Sequence, residues 1–188
     1  MIVHAPGLPP GPTPSSWKLC SASVAAATRA NFEEPVVFTN GVFDLLHRGH
    51  VSYLAAARAL GGMLVVGLNS DASARRLGKG PGRPINGEFD RACVLCALES
   101  VSMVVLFDED TPLALIERLR PDIYVKGGDY DIDTLAESRL VARWGGRALA
   151  LPYAPDVSTT GIVRRILQGA APAPAPGRAA HAGTGARP

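Results

Sequence analysis

Residues 38–50 read FTNGVFDLLHRGH, and the fold turns on them. A β-branched run, VVFT at 36–39, passes through Asn40-Gly41, reaches Asp44 and meets a helical pattern near Gly49-His50. That order is strand, turn, helix. Two of the chain's four histidines, His47 and His50, stand where the helix begins. A helix N-terminus offers unpaired N–H groups and partial positive charge, so it suits phosphate. At i and i+3 both imidazoles can face one side of that terminus, and Gly49 lets an anion approach the backbone. The plainer alternative is a pair of ordinary surface or capping histidines. A G-x-F-D-x-x-H-x-G-H string at a strand-to-helix turn argues against it. HRGH also lacks the H-E-x-x-H spacing that sets two metal ligands one helical turn apart, so no metal site is assigned to the pair.

Working outward, strand-like and helix-like patterns alternate. HVSYLAAARALGG (50–62) is helical with a glycine stop, and MLVVGLN (63–69) is a buried strand. A polar loop runs from Ser70 to Asn86, with Arg75 and Arg76 on a short solvated helix. EFDRACVLCALES (88–100) is an apolar-faced helix and VSMVVLF (101–107) a third strand. TPLALIERLR (111–120) places Thr111 as N-cap and Pro112 at the first helical position. DIYVKG (122–127) is a fourth strand, TLAESRLVARWGG (134–146) a helix, RALALP (147–152) a fifth strand, and STTGIVRRILQ (158–168) a last helix. Short, nearly all-apolar strands separated by helices predict an α/β fold: a Rossmann-like doubly wound sheet of about five parallel strands, with helices on both faces. Ligands of such sheets bind beyond the carboxyl ends of the strands, where strand order reverses. The segments to inspect are 40–50, 69–87, 108–111, 126–133 and 153–160.

Composition bounds the rest. The 188 residues divide into a Pro/Ala-rich N-terminal extension (1–34), a single compact domain (35–168) and a low-complexity, disordered Ala/Pro-rich tail (169–188). Within the extension, SASVAAATRA has the composition of a short helix. The net charge of +2 gives no argument for nucleic acid or an anionic membrane surface. No apolar run approaches the roughly 18 residues of a spanning helix, and the first residues read as no signal peptide. Three cysteines, Cys20, Cys93 and Cys96, are too few and too odd for a disulfide framework and fit a cytoplasmic protein. Cys93 and Cys96 form a C-x-x-C inside an apolar helix pattern with no second pair, which reads as buried thiols. Trp144 reads as a packing residue.

Further chemistry-bearing residues fall on the strand tips. Lys126 leaves the fourth strand as a point charge, Gly127-Gly128 let the backbone pass close to a ligand, and Asp129 can accept from hydroxyls or approach Mg²⁺. A plain Gly-Gly turn with a surface lysine is the alternative. Ser158, Thr159 and Thr160 open the last helix with three hydroxyls, more than an N-cap requires. Lys79 and Arg83 lie in a Gly/Pro loop long enough to act as a lid, or simply solvated. Arg91 sits at a helix start, either reaching back toward phosphates or pairing along the helix face.

GVFDLLHRGH resembles the G-x-F-D-x-x-H-x-G-H signature of the cytidylyltransferase-like nucleotidyltransferases. More narrowly, FTNGVFDLLHRGH, with VGLNSDAS, GRPIN, the Arg91 region, LFDEDTP, RPDIYVKGGDY and VSTTGIVRRI, is similar to the adenylyltransferase domain of ADP-heptose synthases. The resemblance runs from about Val36 to Ile166. It implies that His47, His50 and Lys126 are catalytic. It also implies nucleotide contacts from Thr39, Asn40, Gly41, Phe43, Asp44, Gly49, Lys79, Arg91, Gly127, Gly128, Asp129, Ser158, Thr159 and Thr160. Substrate contacts are implied for Asn69, Asp71, Arg83 and Tyr153. Asp44 is expected to fix the turn or the nucleotide rather than a metal. The substrates implied are ATP, with Mg²⁺, and a sugar 1-phosphate, and the state implied is a homodimer. Three departures stand out: Val42 where relatives often carry cysteine, acidic Glu33-Glu34 before the first strand, and Gly161 where a polar residue is common. There is no room for the sugar-kinase domain of the bifunctional relatives.

The chemistry implied is attack by a sugar-phosphate oxygen on the α-phosphorus of ATP, with pyrophosphate leaving. The nucleophile is already an anion, so charge stabilisation and positioning matter more than a general base. Two alternatives stay open. One is a cytidylyltransferase for glycerol 3-phosphate or another phospho-alcohol, which the missing R-T-E-G run disfavours. The other is a non-catalytic nucleotide-binding module.

Overall fold

The structure is a computed structural model that describes residues 18–78, 80, 82–128, 131–152 and 158–169. Five parallel strands form one sheet in the order β3-β2-β1-β4-β5: β1 (Val36–Gly41), β2 (Met63–Asn69), β3 (Met103–Phe107), β4 (Ile123–Gly127) and β5 (Arg147–Leu151). The order reverses between β1 and β4, which pair through Val37–Ile123, Phe38–Tyr124 and Thr39–Val125. The crevice at their carboxyl ends is therefore the place where such a sheet receives a ligand.

The apolar runs bury both faces of the sheet. All seven residues of central β2 are buried, whereas edge β5 is half-exposed. On one face, α2 (Arg48–Arg58) and α4 (Glu88–Cys96) pack Tyr53, Leu54, Ala57, Leu95 and Cys96 against Val37, Leu64, Val66 and Val104. On the other, α1 (Ala22–Ala30), α5 (Leu113–Leu119) and α6 (Ala136–Ala142) set Ala25, Ile116, Leu119 and Val141 against Val36, Phe38, Val65 and Tyr124. The set is completed by α3 (Asp71–Arg76), a 3₁₀ turn (Ile132–Thr134) and α7 (Thr159–Leu167). Cys96 is buried, and its thiol is pushed up to about 11 chiefly by desolvation, so it is inert at neutral pH.

Several boundaries differ from those read off the sequence. Helix α2 ends at Arg58, before the glycines. Gly61 instead serves close packing, because a Cβ there would lie 2.3 Å from the Pro35 carbonyl oxygen. Helix α5 starts one residue late: Pro112, not Thr111, is the N-cap, and its carbonyl accepts the first helical bond from Ile116 N–H. Of residues 1–34, the part from Lys18 onward packs on the domain. Leu19 bridges Val104 on edge strand β3, through Cys20 N–H to Val104 O (3.0 Å) and Val104 N–H to Lys18 O (2.9 Å). Arg29 on α1 pairs with Asp122 (2.7 Å), whose other oxygen accepts the Val36 N–H at 2.7 Å. The expected tail beyond residue 169 lies outside the described residues.

Candidate active site

Strand β1 delivers Thr39, Asn40 and Gly41 to the reversal point. Thr39 is fully buried, 2.6 Å from the Tyr53 hydroxyl, which donates to Val125 O at 3.0 Å. Tyr53 has one proton and gives it to Val125, so Thr39 donates to Tyr53. The Thr39 hydroxyl, expected at the nucleotide, thus makes a structural bond that fastens α2 across β1 and β4. Asn40 accepts from the Tyr124 hydroxyl at 3.0 Å.

The chain then makes its sharpest turn. Phe43 holds a left-handed φ of 46°, and its ring lies over Gly41, where a Cβ would approach it to 3.1 Å. Asp44 follows, with its side chain only 1% exposed. Its carboxylate accepts from Arg83 Nε (2.6 Å) and from the backbone N–H groups of Ile85 (2.7 Å) and Asn86 (3.1 Å). Asn86 Nδ2 also donates to the Asp44 carbonyl at 3.1 Å. Asp44 therefore fixes the turn by gripping the 83–86 segment.

His47 is the N-cap of α2, yet its imidazole makes no capping bond. Its ring stacks on His50 with centroids 3.9 Å apart and planes at 27°, and Phe43 meets His50 edge-on at 5.4 Å. His47 Nδ1 is buried without a hydrogen-bond partner among the described residues. Burial lowers the His47 pKa below its ordinary value of 6.5, which favours the neutral ring at pH 7. The start of α7 is tied to the same turn. Ser158 caps it by accepting from Gly161 N–H (3.1 Å), and Thr159 Oγ1 donates to Leu45 O (3.2 Å), while Thr160 is exposed. Two helix N-termini thus flank residues 42–47. From the other side, Lys126, Asn40, Gly41, Asn69, Asp110 and Glu137 border a cavity of about 160 Å³ at the carboxyl edge. Gly127 ends β4, and Gly128, at φ 114°, donates its N–H to Leu151 O. Gly49 is buried in the first turn of α2.

Four residues expected to contact ligand make bonds within the protein. Arg91 has its side chain fully buried and donates to four protein acceptors, so it is not directed at phosphates. Asp71 accepts from it at 2.7 Å. Asn69, 3% exposed, gives its Nδ2 to Ser73 Oγ and its carbonyl to Arg91, although it still borders the cavity. Arg83 is joined through Nε to Asp44. Lys79, Asp129 and Tyr153 lie outside the described residues. Reading the sequence missed Tyr53, Asp110 and Glu137. Asp110 falls on one of the strand-tip segments singled out for inspection, whereas nothing in the sequence marks Glu137. The described residues contain no group of three or more His, Cys, Asp or Glu side chains that could hold a metal. No helix among them is long and apolar enough to cross a membrane.

The chain belongs to the cytidylyltransferase-like family, whose model matches residues 38–165, from β1 through both imidazoles to α7. It is 57% identical over 146 residues to the D-beta-D-heptose 1-phosphate adenylyltransferase of Bordetella bronchiseptica, spanning 78% of this chain and 90% of that one. It is 54% identical over 162 residues to the bifunctional protein HldE of Mesorhizobium japonicum, where it covers 85% of this chain but only 32% of the larger protein. Among solved structures, the lipopolysaccharide core biosynthesis protein of Thermoplasma volcanium superposes with a TM-score of 0.56 at 29% identity, covering 66% of this chain and all of that one. A pantoate-beta-alanine ligase from Francisella tularensis, at 12% identity and a TM-score of 0.53, shares the fold.

Proposed function

We propose that the protein is an adenylyltransferase that moves AMP from ATP onto D-glycero-D-manno-heptose 1-phosphate, releasing pyrophosphate and forming ADP-heptose. The β anomer, for which the Bordetella relative is named, is the preferred acceptor. The observation that carries the proposal is the stacked His47–His50 pair at the start of α2.

An oxygen of the sugar phosphate forms a bond to the α-phosphorus, and the bond from that phosphorus to the bridging oxygen of pyrophosphate breaks. The nucleophile needs no deprotonation. The barrier comes from bringing polyanions together and from charge that builds on the α-phosphoryl oxygens and the leaving group. Neutral His47, with His50 against it, donates N–H groups to those oxygens. Lys126 supplies positive charge, and the first N–H groups of α2 and α7 add donors already oriented by the fold. Asp44 keeps the donors in place. ATP enters as its magnesium complex, with the ion carried on the phosphates rather than in a protein-built cage. Asn69, Asp110 and Glu137 at the cavity can meet sugar hydroxyls. The protein works in the cytoplasm, and self-association into a homodimer belongs to the same proposal. Exposed Ile166 and Leu167 on α7 supply apolar surface for it.

The test is pyrophosphate release with Mg²⁺, ATP or CTP, and heptose 1-phosphate or glycerol 3-phosphate. Turnover restricted to ATP with heptose 1-phosphate is expected. Turnover only with CTP, or tight nucleotide binding without turnover, overturns the proposal. Light scattering that finds only monomer mass overturns the dimer.

A further inference from the structure

The Arg91 side chain is completely buried, and it joins the segments after β1, at the end of β2 and before α4. Nε donates to Asn86 O (3.0 Å), Nη1 to Val42 O (2.7 Å) and Asn69 O (2.9 Å), and Nη2 to Asp71 Oδ1 (2.7 Å). The planar guanidinium, with five donors on three nitrogens, serves the carbonyls just after β1, at the end of β2 and before α4, and a carboxylate, at once. Val42 is the residue just before the left-handed Phe43. That conformation is unfavourable for a bulky side chain and persists only where its surroundings impose it. The Phe43 ring in turn lies against His50, which stacks on His47. A continuous line of contacts therefore runs from Arg91 through Val42 and Phe43 to both imidazoles. The circuit closes on the far side, where Asn86, held by Arg91, holds Asp44.

We infer that Arg91 is a positioning residue for the transfer reaction: without touching substrate, it fixes the Val42–Phe43 turn and through it the orientation of the histidine pair. This rests on the proposed adenylyl transfer for its kinetic consequence, though not for its structural one. A lysine at the same place keeps the charge beside Asp71, but one nitrogen with three donors cannot keep all four bonds that Nε, Nη1 and Nη2 make.

Arg91→Lys is accordingly expected to lower kcat per folded enzyme by about 10²-fold, the scale of a 1 Å misplacement of catalytic groups. KM for ATP should stay within a few-fold. In the ligand-free protein, the His47 ring resonances, assigned with His47→Gln, should shift. Leu95→Ala, which empties core on the same helix α4, is the control for general destabilisation. It should lower the melting temperature while leaving kcat per folded enzyme and the His47 resonances in place. If Arg91→Lys does not fold, Asp71→Asn takes its place: it removes the carboxylate that Arg91 Nη2 pairs with, and it should show the same kcat-selective loss and ring shift on a smaller scale. The inference is overturned if the ring resonances stay unchanged, or if kcat per folded enzyme falls no more than in Leu95→Ala. If the wild-type protein releases no pyrophosphate at all, the functional proposal has failed, and the ring resonances still decide the role of Arg91.

Discussion

Replacing Asp44 with alanine is the sharpest test of how the site is built. The carboxylate, 1% exposed, receives a guanidinium N–H and two backbone N–H groups. Its loss strands all three. Arg83, with 15% of its side chain exposed, can recover some hydration, whereas the N–H groups of Ile85 and Asn86 sit in a partly buried turn. Breaking a buried ion pair from one side costs about 3–5 kcal/mol. The exposure of Arg83 places this case at the lower end, about 3 kcal/mol. For a domain of this size each kcal/mol moves the melting temperature by about 2–4 °C, so a fall of about 6–12 °C is expected. Asp44→Asn keeps one oxygen for the two backbone donors but turns an amide toward Arg83, and it should fall about half as far. Thermal unfolding followed by circular dichroism reads both. A fall of less than about 2 °C for Asp44→Ala, within the usual range of a neutral surface change, would refute the claim that this carboxylate holds the turn.

Alanine at His47 or at His50 should reduce turnover by about 10²–10³-fold with little change in melting temperature, as expected for removal of a transition-state donor; turnover within a few-fold of wild type counts against the mechanism. The lowered pKa of His47 also carries a pH signature. The folded state resists protonation that the unfolded state accepts at about 6.5, so stability is complete above that value. It declines as pH falls from there toward the folded pKa, and His47→Gln should flatten that part of a stability-versus-pH curve. Tyr53→Phe strands the Thr39 hydroxyl and the Val125 carbonyl and should cost about 1–3 kcal/mol in urea unfolding; a neutral result would mean the network is not load-carrying. Chelation of Mg²⁺ should abolish pyrophosphate release and leave the melting temperature of the nucleotide-free protein unchanged, because the described residues hold no acidic or histidine cage.

The strands and their parallel arrangement were legible because burial on both faces writes itself into the sequence as unbroken apolar runs such as MLVVGLN. The His47–His50 turn was legible because its residue types are unusual together. The internal bonds of Thr39 and Arg91 were illegible for one shared reason: a polar residue beside a ligand-binding edge reads the same whether it faces solvent or neighbouring backbone. Thr39 sits in a strand covered on both sides, which is a clue to its buried hydroxyl, but its partner Tyr53 lies on another element. The partners of Arg91 come from positions 42, 69, 71 and 86, and only the three-dimensional fold brings them together. The cap of α5 slipped because Thr111 and Pro112 are both good starters, and local preference alone does not choose between them.

The bridge from Leu19 to Val104 also matters to anyone who trims this protein. Composition invites a cut at residue 35, and such a cut removes the chain that pairs the outward N–H and C=O of Val104 on β3. The bared border would offer Val104 N–H and C=O to any passing strand, beside the apolar seat that Leu19 vacates. Unsealed borders of this kind recruit copies of themselves. A shortened version should therefore clump during expression even with every catalytic group intact, and a version begun before Lys18 should not.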